Sequence, residues 1–279
     1  MESKKYSIGV FDSGFGGLQI LRYIAKALPQ YNYIYLGDTA RTPYGSRSGE
    51  VVFKFTRQAV DFLFKQNCWL IILACNTASS EALRQIQQEY LPSHFKDRRV
   101  LGVIIPAAQA AAQKTKGRVG VMATEGSVRS GTFIREIKKL NPKIKVFQQA
   151  CPLLVPIVEA GEEDSPAAEL ILKKYLALLL KKNIDTLILG CTHYGVLEQK
   201  IKKLTGEKIN IINEGSIVAQ KLQDYLARHP EIEQKLNKNS KTKFYTTDLT
   251  DKFKTLGGKF FGRKIVAKKV SFGHNKRVH

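Results

Sequence analysis

The sequence is poor in cysteine and has none of the common metal-binding spacings. Four cysteines in 279 residues are too few for the disulfide framework of a small secreted domain. They stand at positions 68, 75, 151 and 191, so no Cys-x-x-Cys pair exists, and no two histidines have the His-x-x-x-His spacing. We therefore expect reduced thiols and assign no metal.

The sequence also lacks a long hydrophobic run. No apolar stretch approaches the roughly 20 residues that cross a bilayer. The opening residues MESKKYS lead directly into a strand-like segment and not into the apolar stretch of a signal peptide. These absences predict a protein without membrane association, located in the cytoplasm.

Acidic residues are scarce relative to basic ones. The chain has 45 Lys and Arg against 24 Asp and Glu, a formal charge of +21, and such an excess attracts anions. Residues 217–279 contain 15 basic and 5 acidic residues, a difference of 15 − 5 = +10. Apolar residues interleave with these charges, which favours the solvated faces of helices and strands over a nucleic-acid site.

One cysteine setting occurs twice in the chain. Residues 70–77 (LIILACNT) and residues 187–193 (LILGCTH) both place a cysteine at the end of an apolar run. The two copies have a constant offset of 116 residues, 191 minus 75, and this internal repeat extends upstream of the cysteines. The paired positions are Leu63 with Leu179, Lys65 with Lys181, Asn67 with Asn183, Ile71 with Leu187, and Leu73 with Leu189. Two similar halves can thus bring two thiols to opposite sides of one pocket.

Strand-like and helix-like segments alternate, which predicts an α/β fold with parallel sheets flanked by helices. We predict strands at 6–12, 33–37, 70–74, 118–124, 186–190, 209–213, 243–247 and 265–272. We predict helices at 18–28, 51–65, 79–89, 128–140, 166–182 and 217–228, and a charged connector at 230–243. Residues 118–124 repeat residues 7–13 at an offset of 111, so each half has its own first strand.

The repeat predicts two similar domains with the active site in the cleft between them. The first domain is expected to be discontinuous, comprising residues 1–100 and 217–279, because the tail has no counterpart in the other half. The second domain is expected to span residues 101–216. Ligands of open α/β sheets bind outside the carboxyl ends of the strands, where both cysteines are expected.

The loop DSGFGG at residues 12–17 admits three interpretations. A dinucleotide loop is poorly supported, because Gln19 stands where the last glycine of that fingerprint belongs. Asp12 and Ser13 can also simply cap the following helix. In the interpretation that we favour, the glycines allow a small ligand to approach the backbone closely, while Asp12 accepts a hydrogen bond from an ammonium group.

Two matched thiols favour proton exchange at a stereocentre over other cysteine chemistry. A cysteine hydrolase uses one thiol with a histidine base, and a dithiol redox enzyme usually has its cysteines close in sequence. Cys75 and Cys191 are therefore the predicted acid/base pair, with thiol pKa values that hydrogen-bond donors and positive charge can lower. His193 is placed to orient Cys191, whereas Cys68 and Cys151 are interpreted as packed core residues.

These motifs together resemble glutamate racemase, of the aspartate/glutamate racemase superfamily, over nearly the whole chain. The matching segments are VFDSGFGGL at 10–18, GDTARTPYGS at 37–46, ACNTAS at 74–79, PLLVPIVEAG at 152–161 and LGCTHY at 189–194. The resemblance implies cofactor-independent racemisation of L-glutamate to D-glutamate, which supplies peptidoglycan synthesis. No lysine lies in a recognisable cofactor motif, so we expect no pyridoxal phosphate and no other cofactor.

The resemblance also assigns roles to individual residues. Cys75 is expected to act on D-glutamate and Cys191 on L-glutamate, and the residues that assist the thiols are Asp12, Glu159 and His193. The implied substrate-binding residues are Asp12, Ser13, Tyr44, Gly45, Asn76, Thr77, Thr192 and His193. The expected partners are both enantiomers of glutamate and a second copy of the chain in a homodimer.

The chain departs from the family pattern in two places. Gly195 stands where the family usually has proline, which leaves the loop after Cys191 less stiff, and Asn213-Glu214 replaces an Asp-Ser or Asp-Pro pair. Three other functions stay open from the residues alone. They are a racemase for another acidic amino acid such as aspartate, a non-catalytic amino-acid-binding protein, and a nucleic-acid-binding or regulatory role of the basic tail.

Overall fold

The computed structural model describes residues 5–272, which form two parallel β-sheets surrounded by helices. The strands are β1 (Ser7–Asp12), β2 (Tyr33–Gly37), β3 (Cys68–Leu73), β4 (Arg99–Gly102), β5 (Arg118–Ala123), β6 (Lys145–Ala150), β7 (Thr186–Gly190), β8 (Asn210–Ile212), β9 (Thr242–Thr246) and β10 (Ala267–Lys269). All their pairings are parallel. The predicted fold class is confirmed.

The first sheet has the strand order β10-β9-β2-β1-β3-β4. Its central strand β1 is buried on both faces by helices, as its apolar sequence SIGVFD requires. The last two strands join this sheet because β9 pairs with β2 and β10 pairs with β9. The tail therefore returns to the sheet that contains β1, while the boundaries at residues 100 and 217 stay a prediction.

The second sheet has the order β6-β5-β7-β8, and its first three strands correspond to β2, β1 and β3 of the first sheet. The cysteine strands β3 and β7 thus occupy equivalent places beside the central strands β1 and β5. The repeated asparagines Asn67 and Asn183 lie just before these strands, and both have a left-handed backbone, with φ of 62° and 50°. Asparagine tolerates this conformation better than most residues, which explains its repetition.

The helices fill both faces of each sheet. They are α1 (Gly17–Ala27), α2 (Gly49–Lys65), α3 (Asn76–Glu81), α4 (Leu83–Gln85), α5 (Leu91–His94), α6 (Ile104–Lys114), α7 (Glu125–Ser130), α8 (Thr132–Leu140), α9 (Leu154–Ala160), α10 (Pro166–Leu180), α11 (Glu198–Thr205), α12 (Glu214–Arg228), α13 (Pro230–Glu233) and α14 (Asp251–Phe261). A π-helical turn spans Ile86–Tyr90, and a 3-10 helix spans Thr192–Leu197. Within residues 5–272, no helix is long and apolar enough to cross a membrane.

Several predicted elements have different bounds in the structure. The helix after the first cysteine begins at Asn76 and not at residue 79, because Cys75 serves as its N-cap. The predicted helix 128–140 is two helices, since Gly131 adopts φ of 64° between them. The last predicted strand, 265–272, is only β10, and the connector 230–243 contains α13 and the start of β9. Helix α14 was not predicted.

Candidate active site

A cleft of about 350 Å³ lies where the carboxyl ends of the strands of both sheets meet. This is the expected position for a ligand of an open α/β sheet, and the volume suits a small molecule. The cleft is lined by Ser13, Thr42, Pro43, Tyr44, Gly45, Ser46, Cys75, Asn76, Thr77, Thr124, Glu125, Cys151, Pro152, Val155, Pro156, Glu159, Ala160, Cys191, Thr192, His193 and Lys252. Both predicted catalytic cysteines are among these residues.

Cys75 follows β3 and caps the N-terminus of α3. Its Sγ accepts a hydrogen bond from the Ala78 backbone N–H at 3.5 Å and lies 3.4 Å from the Ser13 hydroxyl. Burial raises the pKa of the Cys75 thiol to about 11, with a further increase from Asp12, while the Ser13 hydroxyl lowers it. The thiol is therefore neutral at neutral pH, and opposite charge must approach before it ionises.

Cys191 follows β7 and directly precedes the 3-10 helix, as its N-cap residue. Its Sγ lies 3.9 Å from Nδ1 of His193, and only 7% of the residue is exposed. Burial raises the pKa of this thiol well above its usual value, and the charges of Cys75 and Asp12 add to the increase, whereas the backbone N–H of His193 lowers it. The effect of Cys75 on the pKa of Cys191 agrees with the position of both residues in the same cleft.

A chain of polar contacts leads from Cys191 to the other domain. Nε2 of His193 lies 3.2 Å from Oε1 of Glu159, and Oε2 of Glu159 lies 3.5 Å from Nζ of Lys252. Burial raises the pKa of Glu159, but the contacts of His193 and Lys252 outweigh it, and the net pKa is below the ordinary value. Glu159 is thus held as a carboxylate that orients the imidazole ring.

Asp12 is not among the residues that line the cleft. It is fully buried, and its carboxylate accepts hydrogen bonds from the Gly14 N–H at 2.9 Å and from the Thr192 hydroxyl at 3.4 Å. Burial raises the pKa of Asp12, although His193 and the hydrogen bonds oppose this. In this structure the carboxylate holds Thr192, which is a residue of the other half.

Close packing between the two halves requires a glycine at position 16. A Cβ atom at Gly16 would lie 2.3 Å from the Thr192 hydroxyl and 3.0 Å from Nδ1 of His193. Any side chain there would push apart the loop after β1 and the loop after β7. The glycine-rich segment therefore allows close approach between the halves, in addition to the approach of a ligand that the sequence predicted.

The remaining predicted binding residues all line the cleft: Ser13, Tyr44, Gly45, Asn76, Thr77, Thr192 and His193. Several of them bridge the halves. The Thr77 hydroxyl lies 2.9 Å from the Thr124 hydroxyl, and the Gly45 carbonyl accepts a hydrogen bond from the Gly126 N–H at 2.8 Å. The Tyr44 hydroxyl donates a hydrogen bond to the buried Asp38, so the loop after β2 is fixed at the mouth of the cleft.

Some residues that line the cleft were not predicted to belong to the site. Cys151 was interpreted as a core residue; it is buried, as expected, but it also lines the cleft. Thr124, by contrast, was not missed: it follows β5 at the place equivalent to Ser13 after β1, and the repeat offset of 111 predicts it at a strand end with the other polar groups of the site. Lys252 belongs to α14, for which the sequence offered no motif.

The two departures from the family pattern have structural counterparts. A Cβ atom at Gly195 would lie 2.3 Å from Oε1 of Gln19, so glycine here makes room for a side chain of α1. Asn213 caps α12 through its Oδ1, which accepts a hydrogen bond from the Gly215 N–H at 3.1 Å. Glu214 is buried and accepts a hydrogen bond from Asn76.

The chemistry that this arrangement allows is proton transfer at a small anionic molecule. Thiols from equivalent strands reach one cleft, and hydroxyl groups, amide groups and the half-exposed Lys252 also line it. Within residues 5–272, no group of three His, Cys, Asp or Glu side chains is placed to hold a metal ion.

Comparison with known proteins agrees with this geometry. A family model described as Asp/Glu/Hydantoin racemase matches residues 18–222. A curated glutamate racemase of Geobacter metallireducens is 40% identical to the chain over 261 residues, which cover 93% of this chain and 94% of the relative.

Solved structures give the same result. A glutamate racemase isoform of Bacillus anthracis is 37% identical, with a TM-score of 0.88 and coverage of 96% of this chain and 98% of the other. The glutamate racemase of Francisella tularensis, solved in complex with D-glutamate, is 35% identical, with a TM-score of 0.87 and the same coverage. The chain belongs to the aspartate/glutamate racemase family and, within it, to the glutamate racemases.

Proposed function

We propose that this protein racemises glutamate by proton transfer at the α-carbon between two thiols, without a cofactor. The observation that carries the proposal is that Cys75 and Cys191 reach one cleft from equivalent strands of two repeated halves. One thiol then serves each face of the α-carbon. The complex of the Francisella tularensis relative with D-glutamate supports this choice of ligand.

Each direction of the reaction needs one thiolate and one neutral thiol. With L-glutamate, the Cys191 thiolate removes the α-proton, and the Cys75 thiol delivers its proton to the opposite face. The product is D-glutamate, Cys191 now carries the proton, and Cys75 is the thiolate. The reverse reaction exchanges these roles. Asp12, Glu159 and His193 assist by holding the groups around the thiols, as their contacts allow.

The electrostatics of the cleft assign a role to the substrate's own charges. Burial raises the pKa of both thiols, so a positive charge next to them favours the thiolate. The substrate's ammonium group supplies that charge. Hydroxyl and amide groups of Ser13, Asn76, Thr77 and Thr192 bind its carboxylates, and exclusion of water strengthens every such interaction.

We also propose a biological setting for this activity. The D-glutamate formed would supply peptidoglycan synthesis in the cytoplasm, and we propose a homodimer as the functional unit. The substrate, both enantiomers of glutamate, carries two carboxylates, which suits a chain with a formal charge of +21.

A substrate panel separates the proposal from its alternatives. Circular dichroism is followed with L-glutamate, D-glutamate and L-aspartate and no added cofactor, and we expect both glutamate enantiomers to reach the same racemic mixture. Faster conversion of aspartate would favour the other acidic substrate. Tight binding without conversion would favour a binding protein, and salt-dependent DNA binding without conversion would favour the nucleic-acid role.

Replacing Lys252 by methionine tests the charge at the edge of the cleft. We expect KM for glutamate to rise about fivefold with kcat within about twofold, because a half-exposed cation attracts the anionic substrate more than it affects the transition state. Steady-state kinetics at two salt concentrations measure the effect, and added salt should reduce the difference from wild type. Lys254→Met on the same helix is the control, and an equal effect there would contradict this role.

A further inference from the structure

Glu214 is a buried carboxyl group that the proposed reaction does not use. It is the first residue of α12, and only 3% of it is exposed. Its Oε2 accepts a hydrogen bond from Nδ2 of Asn76 at 2.7 Å. Its Oε1 is buried without a hydrogen-bond partner among residues 5–272. A buried carboxylate oxygen that accepts no hydrogen bond destabilises the folded protein.

The side chain of Asn76, like that of Glu214, has an oxygen without a hydrogen-bond donor in the region that the structure describes. Its Oδ1 is also buried without a partner in the described part of the chain, although its Nδ2 is bound by Glu214. Both oxygens accept hydrogen bonds, and neither has a donor. A single proton on Oε1 of Glu214 supplies one, because a carboxylic acid and a primary amide pair through two hydrogen bonds, N–H to C=O and O–H to C=O.

The surroundings of Glu214 favour this neutral form. Burial raises the pKa of Glu214 to about 8, and the hydrogen bond from Asn76 lowers it by less. The N-terminus of α12 favours an anion, but this effect is smaller than that of burial. The titratable groups that face this region are Cys191 after β7, Tyr23 of α1 against Gly215, and Glu198 of α11 through Asn213. None of these three side chains adds positive charge.

We infer that Glu214 is a positioning residue that fixes the side-chain amide of Asn76 in one orientation toward the substrate. This inference depends on the proposed function, in which Asn76 lines the cleft next to Cys75. An amide that is free to turn presents either its oxygen or its nitrogen to the ligand. A two-bond pair with Glu214 removes that freedom before the substrate arrives.

Loss of the proton from Glu214 has two consequences. The pair loses its second hydrogen bond, so Asn76 is held less firmly. A negative charge also appears behind Cys191, whose pKa the charge of Glu214 raises. Both changes oppose binding of an anionic substrate and formation of the Cys191 thiolate. Binding of glutamate is therefore expected to weaken as the pH rises through the pKa of Glu214.

The test compares Glu214→Gln and Glu214→Ala with wild type between pH 6.5 and pH 9. Glutamine keeps both hydrogen bonds to Asn76 and does not ionise. We therefore expect the KM of this variant to equal that of wild type at pH 7 and to rise less than that of wild type between pH 7 and pH 9. Alanine removes both bonds, and we expect KM about tenfold above wild type at pH 7, with a smaller change in kcat. Glu198→Gln is the control, because Glu198 bonds to Asn213 near the same helix start and not to Asn76.

Each Glu214 variant has a result that contradicts the positioning role of Glu214. A pH dependence of KM in Glu214→Gln equal to that of wild type would overturn the inference, as would an unchanged KM in a folded Glu214→Ala. If the alanine variant does not fold, the comparison of glutamine with wild type decides alone. Wild-type turnover in the same assay tests the proposed function separately. If wild type shows no turnover, the same comparison is made with the calorimetric Kd of D-glutamate.

Discussion

Replacing either Cys75 or Cys191 by serine is expected to lower the kcat of glutamate racemisation by about 10³-fold in both directions, within the range usual for general acid–base groups. A hydroxyl is a much weaker acid than a thiol, so it does not form the conjugate base that removes the α-proton. Both directions suffer because each thiol acts as base in one direction and as acid in the other. Steady-state circular dichroism with each enantiomer measures the loss.

The fold of these variants is expected to be intact, because serine is nearly isosteric with cysteine. Cys68→Ala is the matched control, since Cys68 is buried in the first domain and does not line the cleft. It should reduce thermal stability and leave kcat within about twofold, as a cavity far from the chemistry predicts. Substantial racemisation by either serine variant would refute the assignment of two thiols.

Replacing His193 by glutamine is expected to lower kcat/KM by about 10²-fold, because the ring lies between Cys191 and the Glu159 carboxylate and orients the thiol. Enantiomers have equal free energies in solution, so the equilibrium constant is one. The loss in kcat/KM must therefore be the same for L-glutamate and D-glutamate. Unequal losses would indicate an error in the assay, and this makes the comparison an internal check.

The control for this variant is His229→Gln. His229 lies at the surface, where its Nδ1 is 3.0 Å from Oε1 of Glu231, and it is remote from the cleft. Its replacement should leave kcat/KM unchanged. An unchanged kcat/KM in His193→Gln would show that the contacts of this histidine are only structural.

Much of the site was predictable because the repeat and the strand ends are local features of the sequence. An apolar run followed by Cys75 or Cys191 predicts a buried strand that ends at a polar loop, and the structure has both. The repeat predicted equivalent positions for the two strands, and the sheet orders confirm it. The repeated asparagines before them, Asn67 and Asn183, share one unusual backbone conformation.

What escaped prediction depends on contacts between distant segments. The sequence predicts a substrate-binding role for Asp12, but it does not reveal that the buried Asp12 carboxylate accepts a hydrogen bond from Thr192, which is 180 residues away in the chain. Lys252 reaches Glu159 only because α14 packs against the other domain. The partner of Glu214 is 138 positions away. Periodicity reports burial along one element, and it carries no information about which element lies opposite.

The start of helix α3 differs from the prediction for a simpler reason. Residues 76–78, Asn-Thr-Ala, have the composition of a loop, and they were expected to continue the loop after Cys75. Instead, the sulfur atom of Cys75 accepts the Ala78 N–H and caps the helix. Cysteine is not a usual capping residue, so nothing in the local sequence indicates this helix start.

The most direct test of the two-thiol account is the fate of the α-hydrogen during the first turnovers of L-glutamate in deuterated water. Two opposed thiols predict that the D-glutamate formed carries one α-deuterium, while the remaining L-glutamate keeps its hydrogen, because the delivering thiol has exchanged with solvent. Mass spectrometry after separation of the enantiomers measures both. D-glutamate that keeps the original hydrogen would show that one base serves both faces, and it would contradict the account.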